Sequence, residues 1–221
     1  MIKLLLTILY FSLYSFLGWV CEVFYCSIPK KEFVNRGFLK GPVCPVYGFG
    51  ALSVIWILGS LKINSWILLL IAGGIIASII EFCADLLLEY VFHTRLWNYS
   101  NRKYNIKGRV CLLNSTLFGI LSVVLMKILH PLFNKIFIDL NFYFIVIVSI
   151  IVTIIFILDI IFTVKEVLKL NYNLKNIDII QDIKAKKLKR ILKAFPQLEH
   201  KTYHDELKKL KEVLKYEIRK K

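Results

Sequence analysis

Four carboxylates sit where carboxylates are costly. Glu22, Glu81, Asp85 and Asp159 each fall inside an apolar run of membrane-spanning length, and Glu89 stands at the edge of one. An ionisable group in a bilayer costs about 2.5–3.5 kcal/mol or more, so it turns toward a protein interior or a watery cavity. Spacing adds a direction. Gly74, Ser78, Glu81 and Asp85 are separated by steps of 4, 3 and 4, and Ser15, Gly18 and Glu22 by steps of 3 and 4. Each set is one stripe of a helix. Small residues let backbones approach closely, so these stripes are predicted to face each other with their acids pointing into a bundle. Such acids can accept a cation or a proton. The alternative is structural: they hydrogen-bond neighbouring helices or pair with loop arginines.

Complementary charge lies in two connections. Residues 36–48 place Arg36 and Lys40 among three glycines and two prolines, which predicts a specified, non-helical path. The second connection carries Trp97-Asn98-Tyr99-Ser100 and then Asn105 through Gly108-Arg109. Arg36 and Arg109 could hold a carboxylate or phosphate through forked hydrogen bonds, or pair with Glu22 or Glu81. Trp97 and Tyr99 suit the headgroup level as anchors. No glycine is followed by lysine, so the chain lacks a phosphate-binding ATPase loop. His93 and His130 have no Ser or Cys partner at recognisable spacing, so no catalytic residue is assigned. The five cysteines, Cys21, Cys26, Cys44, Cys83 and Cys111, form an odd set without a CxxC pair. No metal, cofactor or disulfide is expected.

The elements that must position these groups follow from composition. The chain has 221 residues, 57% hydrophobic and only 20% charged, with a formal net charge of +15. Its mean hydropathy is +0.64. Disorder and an ordinary soluble domain are both excluded by that balance. Five segments read as spans: Leu4 to Cys26, Pro45 to Leu61, Ser65 to Glu89, Leu112 to Leu132, and Phe142 to Val164. The second is barely long enough to cross a hydrocarbon core of ~30 Å, so it either crosses with little tilt or is partly re-entrant. Pro29-Lys30-Lys31 follows the first, where a cleaved signal peptide would carry small residues.

With five spans, 26 of the 30 basic residues fall on one side. The positive-inside rule then places the amino terminus outside and the tail in the cytoplasm. Glu22, Glu81, Asp85 and Asp159 all come to lie within about one or two turns of the cytoplasmic surface. The fold class is therefore all-α, a polytopic helical membrane protein of about five transmembrane helices, residues 1–164, followed by a basic cytoplasmic tail, residues 165–221. In that tail Ile177, Ile180, Ile183, Leu188, Ile191, Leu192 and Phe195 approximate one apolar face. Tyr203, Leu207, Leu210 and Leu214 repeat it after Pro196. A helical hairpin is predicted, lying on anionic lipid, docking a partner, or merely solvated. Once the charge is located in this way, +15 no longer points to nucleic acid.

Gly18-Trp19 with Glu22, Asn35-Arg36-Gly37-Phe38-Leu39, and Gly41-Pro42-Val43-Cys44-Pro45-Val46-Tyr47-Gly48 resemble a bacterial membrane family catalogued as ABC-transporter type IV, or CmpB-like. Glu81, Trp97 with Tyr99-Ser100, and Asn105 through Gly108-Arg109 continue the resemblance over roughly residues 15 to 120. Asn98 and Phe118 stand where the family more usually carries Asp and Trp. The resemblance implies a transporter permease of the bacterial cell membrane. The candidate polar site comprises Glu22, Arg36, Tyr47, Glu81, Asp85, Trp97 and Arg109. A transport-type permease subunit is the leading reading, with a polar cavity opening to the cytoplasm and a separate ATPase or other membrane subunit as partner. One rival is a membrane-embedded enzyme or lipid-handling protein at the cytoplasmic leaflet, favoured because the outer half of spans 1, 3 and 5 is almost uniformly apolar. Another is a scaffold or regulatory subunit whose tail recruits a partner.

Overall fold

The computed structural model describes residues 1–175 and 190–219. A mostly apolar stretch forms α1, Ile2–Lys30, which stops where Lys31 turns left-handed and returns its N–H to the Ile28 carbonyl. Helix α2, Pro45–Ser60, starts on Pro45, at a position where the missing N–H has no intrahelical partner to lose. Helix α3, Trp66–Phe92, ends at a left-handed His93 bonded back to the Glu89 carbonyl. Strand β1 is Thr94–Arg95, β2 is Asn105–Ile106 and β3 is Val110–Cys111. Two long helices follow, α4 at Leu112–Ile138 and α5 at Phe142–Lys175. The described tail holds a helical turn at 190–194, strand β4 at Glu199–His200, and helix α6 at His204–Arg219.

Within α4 the chain widens into a π-helical turn at Leu125–Leu129, directly before His130 and Pro131. Pro131 has no N–H for the preceding turn, and its ring crowds the carbonyl four residues back. A widened turn absorbs both problems.

Helices α1, α3, α4 and α5 are long and apolar enough to cross a membrane. At 16 residues, α2 is only about 24 Å long. It packs antiparallel along the first half of α1. At one end the Cys44 N–H donates to the Ser15 carbonyl over 2.9 Å; at the other, Leu58 clusters with Tyr10, Leu69 and Leu125. The five helices therefore alternate in direction. One end, called the basic end below, carries the connections 31–44 and 93–111 and the tail. The opposite end carries the amino terminus and the short connections 61–65 and 139–141. Helix α5 turns Ile147, Ile150, Ile154 and Ile155 outward, exposed in the isolated chain and apolar enough to face lipid.

The two small-residue stripes do not face each other. A side chain at Gly18 would meet Tyr47, and one at Gly48 would meet Ser15, so the first stripe is the seam between α1 and α2. A side chain at Gly73 would meet Ser122, and one at Gly74 would meet the Ser115 carbonyl at 2.7 Å, so the second is the seam between α3 and α4. Consecutive antiparallel helices pack on each other first, and that contact uses the small residues.

The described part of the tail is folded onto the bundle's basic end. Helix α5 passes residue 164 without a break, and Val167, Leu170 and Leu174 on its extension bury against Leu96, Ile191, Phe195, Leu198, Leu207 and Leu210. The apolar face predicted for the tail thus meets this chain. Ile177, Ile180, Ile183 and Leu188, and the side chain of Leu214, lie outside the described residues. Strand β4 pairs antiparallel with β1, setting Thr94 opposite His200 and Arg95 opposite Glu199. Strands β2 and β3 form a second ladder, Asn105 opposite Cys111.

His200 holds the turn after β4. Its ring is 3% exposed, and Nδ1 accepts the backbone N–H groups of Thr202 at 3.2 Å and Tyr203 at 3.0 Å. Burial, with His93 nearby, lowers its pKa from 6.5. A histidine kept neutral by the fold contributes stability above its unfolded pKa of about 6.5, and that contribution is lost as pH falls through this value toward the folded one. Amide exchange at 94–95 and 199–203, corrected for intrinsic rates, should therefore accelerate between pH 7.5 and 5.5. His200→Asn, which keeps an acceptor near the Nδ1 position, should flatten that dependence.

The α3–α4 seam makes a second expectation. A methyl at Gly119 would strike the Leu70 carbonyl, whereas one at Gly59 meets nothing within 4 Å. Gly119→Ala should destabilise the bundle by about 1–3 kcal/mol, read as a lowered melting temperature in detergent, with Gly59→Ala nearly neutral.

Candidate functional site

The connection after α3 is built to carry one side chain into the bundle. Asn98 Oδ1 accepts the Ser100 N–H at 2.8 Å and its hydroxyl at 2.6 Å, while Asn98 Nδ2 donates to Glu199 at 2.8 Å. Asn105 Oδ1 accepts the Gly108 N–H at 2.9 Å. Gly108 takes a φ of +67°, and any side chain there would meet Asn98 and Ser100. The Tyr99 N–H reaches the Gly108 carbonyl at 2.8 Å, and the Trp97 indole N–H reaches the Arg109 carbonyl at 3.0 Å. Thus braced, Tyr99 donates its hydroxyl to Glu81 Oε1 at 3.1 Å. Burial and the Glu81 carboxylate push the Tyr99 pKa well up, so the phenol keeps its proton.

The connection after α1 holds the facing wall. Asn35 Oδ1 accepts the Trp19 indole N–H at 2.7 Å and the Gly37 N–H at 3.2 Å. The N–H groups of Lys40 and Gly41 both reach the Asp159 carboxylate at 2.9 Å, so Asp159 clamps this connection to α5. Arg36 lies 3.6 Å from Glu22 Oε2, donates to the Ala194 carbonyl, and stacks 4.8 Å over the Phe195 ring. The other Glu22 oxygen accepts the Tyr47 hydroxyl at 2.8 Å. Burial and the Glu22 charge push the Cys44 thiol up to about 12, which leaves it an inert wall group.

These walls line a half-open cavity of about 490 Å³. Of the seven candidate residues, Glu22, Arg36, Tyr47, Glu81 and Trp97 line it; Asp85 and Arg109 do not. Asp85 has no exposed surface, and its Oδ2 accepts Arg95 Nε at 3.3 Å together with Arg109, which also bonds Glu89. Glu89 in turn lies 3.6 Å from Lys201 of the tail. Arg109 is therefore paired with Asp85 and Glu89 rather than with Glu81. Glu81 is 8% exposed, and its Oε2 has no hydrogen-bond partner among the described residues. Among the described residues no group of three or more His, Cys, Asp or Glu could hold a metal ion.

Several lining residues escape a reading of the sequence. Tyr99 reads there as an interfacial anchor. Phe195 of the tail reads as part of a hairpin's apolar face, yet it lines the cavity beside Arg36. Tyr14 lines the opposite part, and its hydroxyl meets His130 Nδ1 at 3.0 Å. Tyr10, one turn earlier, donates to Asn134 Oδ1 at 2.8 Å and packs its ring 5.1 Å from His130. The signals for this second polar cluster are two tyrosines four residues apart on α1 and, on α4, His130 and Asn134 at the same spacing.

Comparison with known proteins agrees with these motifs. The model of the family described as "putative ABC-transporter type IV" matches residues 9–164, so the chain belongs to that family. No curated protein and no solved structure shows a significant match. The match extends beyond residues 15–120, where the sequence resemblance was read, and takes in α4 and the first part of α5.

The Asp85 cluster makes a sharp expectation. Arg109→Gln leaves a fully buried carboxylate with Arg95 as its remaining guanidinium, which should destabilise the fold by about 3–5 kcal/mol. Adding Asp85→Asn should recover part of that loss in a double-mutant cycle of denaturant unfolding, because the uncompensated charge is then gone.

Proposed function

We propose that this chain is a transport-type permease subunit of the cell membrane, with its substrate site in the cavity among α1, α2, α3 and α4. The observation that carries this reading is the cavity's reach between two polar clusters. At the basic end stand Glu22 with Tyr47 and Glu81 with Tyr99. Away from that end the cavity runs on to Leu125 and Leu129 and meets Tyr14, midway along α1, whose hydroxyl is bonded to His130. A one-sided site needs polar groups in a single leaflet; a path across the membrane needs them in both halves. The Tyr14–His130 pair adds polar groups beyond the basic-end cluster, which supports this reading over a membrane enzyme or lipid-handling protein.

The charge distribution supports an amino terminus outside and a cytoplasmic basic end. Substrate would then reach the cavity from the cytoplasm past Phe195 and Arg36. With no ATPase loop in the chain, coupling to nucleotide hydrolysis would require a separate subunit. The scaffold reading draws less support, because the described tail is engaged with its own loops through Arg190, which donates to the carbonyls of Gly37, Phe38 and Leu39.

Cys83 lines the cavity and offers a direct test. In chains keeping Cys83 alone, or carrying Leu129→Cys alone, a membrane-impermeant maleimide should label each thiol in both right-side-out and inside-out vesicles. Labelling from one face only would sink transport in favour of a one-sided site. Absence of labelling would mean that water does not enter the cavity at all.

A further inference from the structure

We infer, building on the cavity site proposed above, that the cavity takes an amphiphile with a protonated amine at its head, and that Glu81 Oε2 is the acceptor for that amine. The donors around the polar end are already engaged. The Tyr47 hydroxyl goes to Glu22 and the Tyr99 hydroxyl to Glu81 Oε1. The Trp97 N–H goes to the Arg109 carbonyl, and Arg36 is shared between Glu22 and the Ala194 carbonyl. What remains are acceptors: Glu81 Oε2, buried and unpartnered, and the lone pairs of two phenol oxygens.

Charge points the same way. Arg36 offsets Glu22, while Arg95 and Arg109 are held by Asp85 and Glu89 outside the cavity wall. Glu81 is the lining carboxylate without a cation. A buried carboxylate without a cation is expensive and takes up a proton when the cavity is empty; a ligand ammonium supplies the donor and the charge in that proton's place. The rings of Tyr47 and Phe118, edge-on at 6.1 Å, flank the same region and favour a cation near their faces. The one lining guanidinium, Arg36, already lies beside Glu22 and bonds the Ala194 carbonyl, so an anionic head would have to compete with Glu22 for it.

The remainder of the cavity specifies the tail of the ligand. Leu17, Val54, Ile80 and Leu121 line it with hydrocarbon. Its volume of about 490 Å³ falls within the ~300–1,000 Å³ of small-molecule sites. A single alkyl chain running from Glu81 toward Leu125 and Leu129 matches this lining.

The test uses the full chain in lipid nanodiscs and three probes of equal length: dodecylamine, dodecanol and dodecanoate. Saturable binding is measured by equilibrium dialysis, with empty nanodiscs subtracted. Dodecylamine should bind at least about tenfold more tightly than dodecanol, as expected of one charge-assisted hydrogen bond, with dodecanoate weakest. Glu81→Gln should erase the amine preference and leave dodecanol unchanged. Should that variant not fold, Glu81→Asp, which withdraws the carboxylate by one methylene, should weaken dodecylamine several-fold and spare dodecanol. Equal binding of amine and alcohol, or an amine preference that survives Glu81→Gln, overturns the inference while the cavity remains a ligand site. Tightest binding by dodecanoate overturns it in favour of an anion at Arg36. Absence of saturable binding for all three probes removes the cavity reading along with it.

Discussion

A carboxylate with no solvent exposure must be neutralised or paired, and Asp85 is paired twice. Arg95 and Arg109 come from the two ends of one connection and converge on the same oxygen. That convergence draws residues 93–111 down onto the last turns of α3. Everything above depends on it. Tyr99 lies between the two arginines in sequence, so anchoring both ends sets how far its hydroxyl reaches toward Glu81. Arg95 also belongs to β1, the strand that receives β4, so the same carboxylate fixes the platform on which the tail docks. A buried ion pair is seldom a large net source of stability. Here its consequence is positional: it decides where a loop with little apolar surface of its own must sit.

The tail completes the basic end through contacts of another kind. Backbone carbonyls left over by the non-helical path of residues 37–39 accept the Arg190 guanidinium, and the Ala194 carbonyl accepts Arg36. Leu170, Leu174, Leu198 and Leu207 supply the apolar burial that makes these polar contacts persist. Phe195, carried on this segment, becomes part of the cavity wall. Charge that would be expected to orient the chain or attract anionic lipid is thus partly employed inside the protein, holding one wall of the cavity in place.

Much of the architecture was legible because the bilayer imposes length and composition on any segment that crosses it. The five apolar runs became five helices with shifted ends: α1 runs on to Lys30 and α5 to Lys175, past the boundaries that hydropathy alone sets. The non-helical path after Arg36 was legible from its glycines and prolines. The partner of each stripe was not. Gly18 and Gly74 announce close packing, yet a stripe of small residues accepts any helix that fits, and chain connectivity chose α2 and α4. The arginines were ambiguous for a similar reason, since a long side chain near several carboxylates can reach more than one. Arg36 reached Glu22, while Arg109 passed over Glu81 for Asp85 and Glu89.

By itself the sequence determined that this chain is a helical membrane protein of one family, that its basic residues gather at one end, and that its acids lie beneath them. These are properties of composition and spacing, which survive without knowledge of distant contacts. Only the tertiary structure decided which acid is left without a partner. Glu22, Glu81 and Asp85 are equivalent as letters in apolar runs. They differ because Tyr47 and Arg36 converge on the first and two arginines on the third, whereas a single tyrosine reaches the second. Satisfaction of a buried charge is a property of three-dimensional neighbours, and here those neighbours lie as many as 25 residues away along the chain.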